Sequence, residues 1–180
     1  QGITDIFSQR KLKIIGPDKK ASMLESSKSY AKEFMKKYDV RTAAYETFSE
    51  YEKAMDYILK ADFPLVIKAD GLAGGKGVVI AQNHEQAVET LNFFMKEDIF
   101  KGSGKTVVIE EFLKGFETSV LAAVDGKTIL PFISAKDHKQ AYDGNKGPNT
   151  GGMGAIAPNP LFTEEHFEDF KNNIMLPTLR

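Results

Sequence analysis

The stretch "VIKADGLAGGKGVVIA", residues 66–81, constrains the fold more than any other part of the chain. Two apolar runs flank a loop that carries Gly71, Gly74, Gly75 and Gly77 around Lys76. The pattern reads as strand, glycine loop, strand. A hairpin turn needs only two to five residues, so this loop is longer than pairing alone requires. Each glycine also costs about 0.5–1 kcal/mol relative to alanine in regular structure. Two readings stay open: a mobile flap, whose bare backbone N–H groups and Lys76 ammonium close over a phosphate, or an adaptable hairpin.

Neither familiar phosphate loop fits. "GLAGGKG" is one residue short of the GxxxxGK[ST] spacing and lacks its Ser or Thr, and it does not match GxGxxG. "GSGKT" (102–106) resembles the tail of a P-loop, but its first glycine would fall on Ile99, and its Thr opens a strand where a helix N-terminus is needed. It reads as a polar turn.

Around the glycine loop the chain alternates strands and helices. Expected strands are "AAYETF" (43–48), "PLVIKA" (64–69), "GVVIA" (77–81) and "TVVIEEFL" (106–113). Ser49 and Glu52 suggest a capping box opening a helix through Leu59, and Asn83 caps "EQAVETLNFFMK". Before this module, "LKIIGP" (12–17) reads as a short buried strand, and the stretch 18–38 as helix broken near Ser26 and Ser27. After it, "ETSVLAAVDGKTILPFIS" reads as a hairpin with Asp125 and Gly126 at its tip. Residues 136–160 form a long Gly-, Pro- and Asn-rich segment, either functional or disordered, and a last helix starts near Thr163.

Alternation along "LVIKAD" puts Val66 and Lys68 on one strand face and Leu65, Ile67 and Ala69 on the other. A lysine on an apolar strand usually snorkels to solvent, yet here it lies close to a glycine loop where a fixed cation could hold phosphates. In "VVIEEFL" the backbone could pair with an adenine edge, and Glu117 could accept from ribose hydroxyls. The plainer reading makes Glu110, Glu111 and Glu117 edge charges.

Composition narrows the field by exclusion. With 180 residues and 42% hydrophobic content the chain can bury a core. It has no cysteine, which removes disulfides, thiolate metal sites and a cysteine nucleophile, and which suits a reducing, cytoplasmic setting. A net charge of −1 from 24 basic and 25 acidic residues favours neither nucleic acid nor anionic lipid, and no run approaches the roughly 20 apolar residues of a membrane span. Gln1 at the start and an uncapped helical stretch at Lys171–Arg180 lead us to expect a piece of a longer chain.

In combination, strand-lysine, glycine loop, strand, helix and "EEFL" resemble the ATP-grasp superfamily of carboxylate–amine ligases. "GPNTGGMGA" (147–155), preceded by "KDHK" (136–139), is similar to the phosphoribosylamine–glycine ligase family, also called glycinamide ribonucleotide synthetase. "IIGP", "LESSKSYAKEFM", "VIKADGLAGGKGV" and "VIEEFLKGFE" follow the same family in the same order over nearly the whole chain. The resemblance implies an α+β, partial ATP-grasp fold: a small lid subdomain plus part of the larger central subdomain. Residues 1–42 would be the end of an N-terminal domain with the first ATP-grasp helices. Residues 43–113 would be the lid, and 114–180 part of the central subdomain with the GPNTGGMG substrate loop.

The family's reaction joins glycine to 5-phosphoribosylamine, with ATP phosphorylating the glycine carboxylate, and releases ADP and phosphate. Carried over by motif, Lys28 and Lys68 would be ATP lysines and Gly71–Gly77 a phosphate lid with Gly74, Gly75 and Lys76; Lys68 and Lys76 would also serve catalysis. Glu110, Glu111, Phe112 and Leu113 would form the adenine hinge, with Glu117 on the ribose. Asp137, Lys139, Asn149, Thr150, Gly151, Gly152, Met153 and Gly154 would line the substrate side. His138 is either a substrate contact or a structural histidine, while His84 and His166 read as surface bystanders. The family's Mg²⁺ ligands match no residue of this chain, so no metal ligand is assigned. The alternatives are another ATP-grasp ligase or carboxylase, or a non-catalytic nucleotide-binding module.

Overall fold

The computed structural model describes residues 2–73, 76–144 and 146–179, which fall into two compact units. The first comprises Gln1–Phe34 and Thr42–Phe112, the second Met35–Arg41 and Leu113–Arg180.

Four antiparallel strands make the sheet of the first unit: β1 (Tyr45–Phe48), β2 (Leu65–Ala69), β3 (Val78–Ala81) and β4 (Val107–Glu111), in the order β1-β4-β2-β3. The two central strands pair so that Ile67 faces Ile109 and Ala69 faces Val107. On this face Leu65, Ile67, Ala69, Val107 and Ile109 are buried against helices α4 (Tyr51–Ile58) and α5 (His84–Leu91), with Ala54, Ile58, Ala87 and Leu91 closing the core. The alternation expected for "LVIKA" is realised: Leu65, Ile67 and Ala69 are buried, Val66 and Lys68 half-buried.

The remaining elements of this unit are helices: α1 (Ile3–Gln9), α2 (Met23–Ser26) and α3 (Lys28–Lys37), whose last turn is counted with the second unit. The break near Ser26 and Ser27 occurs as expected. The strand expected at 12–17 does not form. Leu12 and Ile15 are exposed and the segment pairs with no strand among the described residues, because an apolar run without a partner ladder has no reason to extend. The capping box at Ser49 is also absent. The helix starts one residue later, leaving Glu50 at the cap without a side-chain bond, and Glu50 pairs instead with Lys53 at 2.6 Å. Asn83 does cap α5, its side chain accepting from the Gln86 N–H at 3.0 Å. Beyond α5 the helix widens into a π turn, Asn92–Lys96, that buries Phe94 and leaves Phe93 exposed.

The second unit holds short antiparallel pairs. β5 (Ala122–Val124) and β6 (Ile129–Pro131) form the expected hairpin, with Asp125 at its tip accepting from the N–H groups of Lys127 and Thr128. The long segment after it contains β7 (Lys136–Asp137), β8 (Gln140–Tyr142), β9 (Lys146–Asn149) and β10 (Ala155–Ile156), with β7 on β10 and β8 on β9. Helix α6 (Glu164–Phe170) runs through a π turn, Lys171–Met175, into α7 (Leu176–Leu179). Among the described residues no helix is long and apolar enough to cross a membrane.

Ile67 lies fully buried at the centre of the β2–β4 pair. Ile67→Ala should lower unfolding free energy by about 2–5 kcal/mol, read from denaturant midpoints at unchanged slope. A loss below about 1 kcal/mol would show that the site collapses without penalty.

Candidate functional site

Opposite residues on antiparallel strands share a face, so the sheet register that buries Ile67 also fixes what lies on the other side. Lys68 faces Val108, while Glu110 faces Val66 on one neighbour and Tyr45 on the other. Lys68 and Glu110 are therefore diagonal neighbours on the face away from the apolar core. The Lys68 ammonium forms an ion pair with Glu110 Oε1 at 2.9 Å, and Lys32, reaching down from α3, meets Glu110 Oε2 at 3.2 Å. Glu110 and Lys32 are almost wholly covered, whereas the Lys68 side chain keeps 26% of its surface open. Lys32 also donates to Thr42 Oγ1 at 2.7 Å and the Ala43 carbonyl at 3.3 Å, and its charge lies 5.0 Å from the Tyr45 ring centre. Burial holds Lys32 below the ordinary lysine pKa, against the pull of Glu110.

One residue beyond β2, Asp70 ties the root of the glycine loop to the start of α3. Its carboxylate accepts from Ser29 N–H at 2.6 Å and from the Ser27 hydroxyl at 3.1 Å. Ser27 Oγ in turn accepts from Tyr30 N–H, filling the position of a helix N-cap. The Lys28 ammonium donates to the Gly71 carbonyl at 3.3 Å. Burial lowers the Lys28 pKa; Asp70 opposes the shift and Lys68 adds to it. A third cation thus stands within electrostatic reach of Lys68.

Two of the loop glycines serve close packing. A Cβ on Gly71 would come within 2.7 Å of Ser103 Oγ, and one on Gly77 within 2.5 Å of the Ala73 Cβ. The "GSGKT" stretch forms turns before β4, as read from sequence, and it props the loop: Gly71 N–H donates to the Ser103 carbonyl and Asp70 N–H to that of Thr106. Lys76 is exposed, and Gly74 and Gly75 lie outside the described residues.

The acidic pair after "VVI" divides its roles. Glu110 is no edge charge: it sits buried on a central strand with its carboxylate committed to two lysines. Glu111 accepts from Ala44 N–H at 2.7 Å, and Phe112 is exposed. In the second unit Leu113 is exposed, and Glu117 forms an ion pair with Lys139 at 3.3 Å. That pair unites two residues that sequence reading had placed with different ligands.

The "KDHK" and "GPNTGGMG" segments come together as one backbone network. His138 N–H donates to the Gly154 carbonyl, Met153 N–H to that of His138, and Thr150 N–H to that of Lys139. Thr150 Oγ1 accepts from Gly152 N–H. Gly152 adopts a φ of +119°, a conformation that favours glycine, and a Cβ there would sit 3.1 Å from Asp137 Oδ1. Gly151 has no such neighbour, and Asn149 ends β9 with its backbone opposite Gln140. His166 is more than a bystander. Its ring accepts from Thr163 N–H at 3.1 Å in the capping box of α6 and stands edge-on to Phe116. His84 packs its ring on Phe63.

Sequence reading missed Lys32 and Asp70. Both had a signal: Lys32 lies one helical turn from Lys28 on the same face, and Asp70 directly follows the lysine strand. Chemically, three ammonium groups in the first unit, one partly open beside a glycine loop, suit the phosphates of a nucleotide. Among the described residues no three carboxylate or imidazole groups converge as a metal site.

The family model for the phosphoribosylglycinamide synthetase ATP-grasp (A) domain matches residues 26–180. Phosphoribosylamine–glycine ligase of Clostridium acetobutylicum is 57% identical over 178 residues, which is 99% of this chain and 43% of that protein. The ligase of the same name from Fusobacterium nucleatum is 56% identical over 99% of this chain and 42% of its own length. The chain thus spans well under half the length of these curated relatives. Among solved structures, phosphoribosylamine–glycine ligase from Thermotoga maritima superposes with a TM-score of 0.79 at 42% identity, over 91% of this chain and 41% of that one. The biotin carboxylase domain of a Hydrogenobacter thermophilus 2-oxoglutarate carboxylase matches at TM-score 0.71 and 21% identity, over 97% of this chain and 38% of that one, a likeness of fold alone. The fold is a partial ATP-grasp fold, and the chain belongs to the phosphoribosylglycinamide synthetase ATP-grasp (A) domain family.

The depressed Lys28 pKa carries a sign that can be measured. Between its lowered folded value and about 10.5, the unfolded chain holds the proton that the folded chain has shed, so this group's contribution to stability rises with pH. The stability difference between wild type and Lys28→Met should therefore move in favour of wild type as pH is raised through the alkaline range toward 10.5 in denaturant titrations. A difference that stays flat, or moves the other way, would contradict the burial assigned to Lys28.

Proposed function

We propose that the protein containing this chain ligates glycine to 5-phosphoribosylamine, using ATP and releasing glycinamide ribonucleotide, ADP and phosphate through a glycyl phosphate, as a cytoplasmic step of purine biosynthesis. Membership of the family and the names of relatives at 57% and 56% identity support the reaction class. The single observation that carries the site is the Lys68 ammonium, anchored 2.9 Å from a buried carboxylate yet open on its outer side.

Each residue then has a task in its own unit. Lys68 and Lys28 hold phosphate oxygens through charge-assisted hydrogen bonds, with Lys28 released from the Gly71 carbonyl to do so. The loop from Gly71 to Gly77 supplies backbone N–H groups and the exposed Lys76 ammonium, which offsets charge on the transferred phosphoryl group. The backbone at Glu110, Glu111, Phe112 and Leu113 reads the adenine edge, and Glu117 accepts from the ribose. Asp137, His138, Lys139 and the turn from Asn149 to Gly154 line the substrate side, where their mutual backbone bonds fix the loop before substrate arrives. Bound Mg²⁺ would neutralise charge on the phosphates, with its ligands outside this chain.

In the full-length protein, ADP release should require glycine and freshly generated phosphoribosylamine together. Lys68→Ala should weaken ATP binding about tenfold or more, since a hydrogen bond to a charged group is worth about 1.5–3 kcal/mol. The fold should survive, because Glu110 retains Lys32. ADP release independent of glycine, or unchanged ATP affinity in the variant, would overturn the reading.

A further inference from the structure

The pairing around Glu110 has a charge balance that a simple salt bridge lacks. One carboxylate faces two ammonium groups, each on its own oxygen, so the cluster carries one net positive charge. Lys32 spends its remaining donors on Thr42 and the Ala43 carbonyl and is closed to solvent. It cannot touch a ligand in the position it occupies. Lys68 is ion-paired with Glu110 on one side, and its partly open side leaves N–H donors for a ligand.

We infer that Lys32 is a positioning residue for Lys68: by sharing Glu110 it prevents the carboxylate from neutralising Lys68, and so keeps a net cation facing an anionic phosphate. Without Lys32, Glu110 and Lys68 form a balanced pair. The pair would hold together, but its attraction for a polyanion would fall. The role is electrostatic and acts through Lys68, so it concerns the phosphates of a nucleotide and not its base or sugar. This inference rests on the reading that Lys68 faces nucleotide phosphate.

The geometry also makes the role separable from stability. Lys32→Met leaves Glu110 compensated by Lys68, so no lone buried charge results. Lys32→Arg keeps the charge. Lys32→Met combined with Glu110→Gln removes one charge of each sign and restores the net positive charge of the original cluster. The double variant is the discriminating one, because a purely structural role for Lys32 predicts that a second substitution in the same buried cluster makes matters worse.

The test is calorimetric titration of the full-length protein with ATP and, separately, with adenosine. Lys32→Met should weaken ATP binding about tenfold while leaving adenosine binding within about twofold of wild type. Lys32→Arg should keep the wild-type ratio of the two affinities, and the double variant should recover most of the lost ATP affinity. Equal weakening of ATP and adenosine by Lys32→Met, or a double variant that binds ATP no better than the single one, would overturn the inference. Should the Met variant fail to fold, Lys32→Gln takes its place, with the same expected loss of ATP affinity at unchanged adenosine affinity. Lys68→Ala separates the two levels. If it weakens ATP binding while Lys32→Met does not, only the role of Lys32 falls. If Lys68→Ala binds ATP as wild type does, the phosphate reading falls and takes this inference with it.

Discussion

The antiparallel register of β2 on β4 governs both the stability and the chemistry of the first unit. With Ile67 opposite Ile109, every second side chain of both strands enters the apolar core, and those between them, Lys68 and Glu110 included, collect on the other face. A slip of one residue would exchange the two sets, exposing the isoleucines and driving a lysine and a glutamate into hydrocarbon. The hydrophobic effect that selects the register therefore also places the Lys68 ammonium beside Glu110. The site is a by-product of the core, which is why its geometry needs no separate scaffold.

The charged face is held on different terms. Removing an ion from water costs several kcal/mol even after relaxation, and only good partners offset it. Glu110 has an ammonium on each oxygen, and Lys32 adds a hydroxyl and a carbonyl, so the covered part of the cluster is well satisfied. Lys68 is the member left partly in solvent. Desolvation thus falls most heavily on the two groups whose partners are complete, and the group left partly open sits where a ligand can reach it.

How much of this was legible in the sequence follows from the range of the forces involved. The alternation of "LVIKA", the Asn83 cap and the Asp125 turn are local, and local spacing identified them. The apolar run at 12–17 looked equally strand-like, but a strand needs a neighbour, and no property of the run says whether one is present. Lys32 was overlooked because a lysine on a helix is usually solvated; only the sheet beneath it, 78 residues away in sequence at Glu110, makes it a buried partner. Glu117 and Lys139 could be matched to motifs one at a time, but their pairing depends on how the second unit folds. Glycine density suggested freedom in the loop; that Gly71 and Gly77 also lack room for a Cβ beside Ser103 and Ala73 is something spacing does not reveal.

The placement of Lys28 relative to Lys68 follows from how α3 is attached. A helix tied to a sheet at one point can still swivel about it; a second tie on the same face removes that freedom. The start of α3 has two. Ser27 and Ser29 bind Asp70, just past the end of β2, and Lys32, a turn further along, binds Glu110 on β4. Both anchors are carboxylates on the lysine-bearing side, and both are met by helix residues one turn apart, so the helix is fixed in rotation as well as in position. Lys28 lies within the first tie, between Ser27 and Ser29, and donates to the Gly71 carbonyl at the root of the glycine loop, within the field of Lys68. Lys68 works against the charge on Lys28, whereas Asp70 and, more weakly, Glu110 favour it. The proposed phosphate contact would then draw on cations that the fold has placed before any ligand arrives.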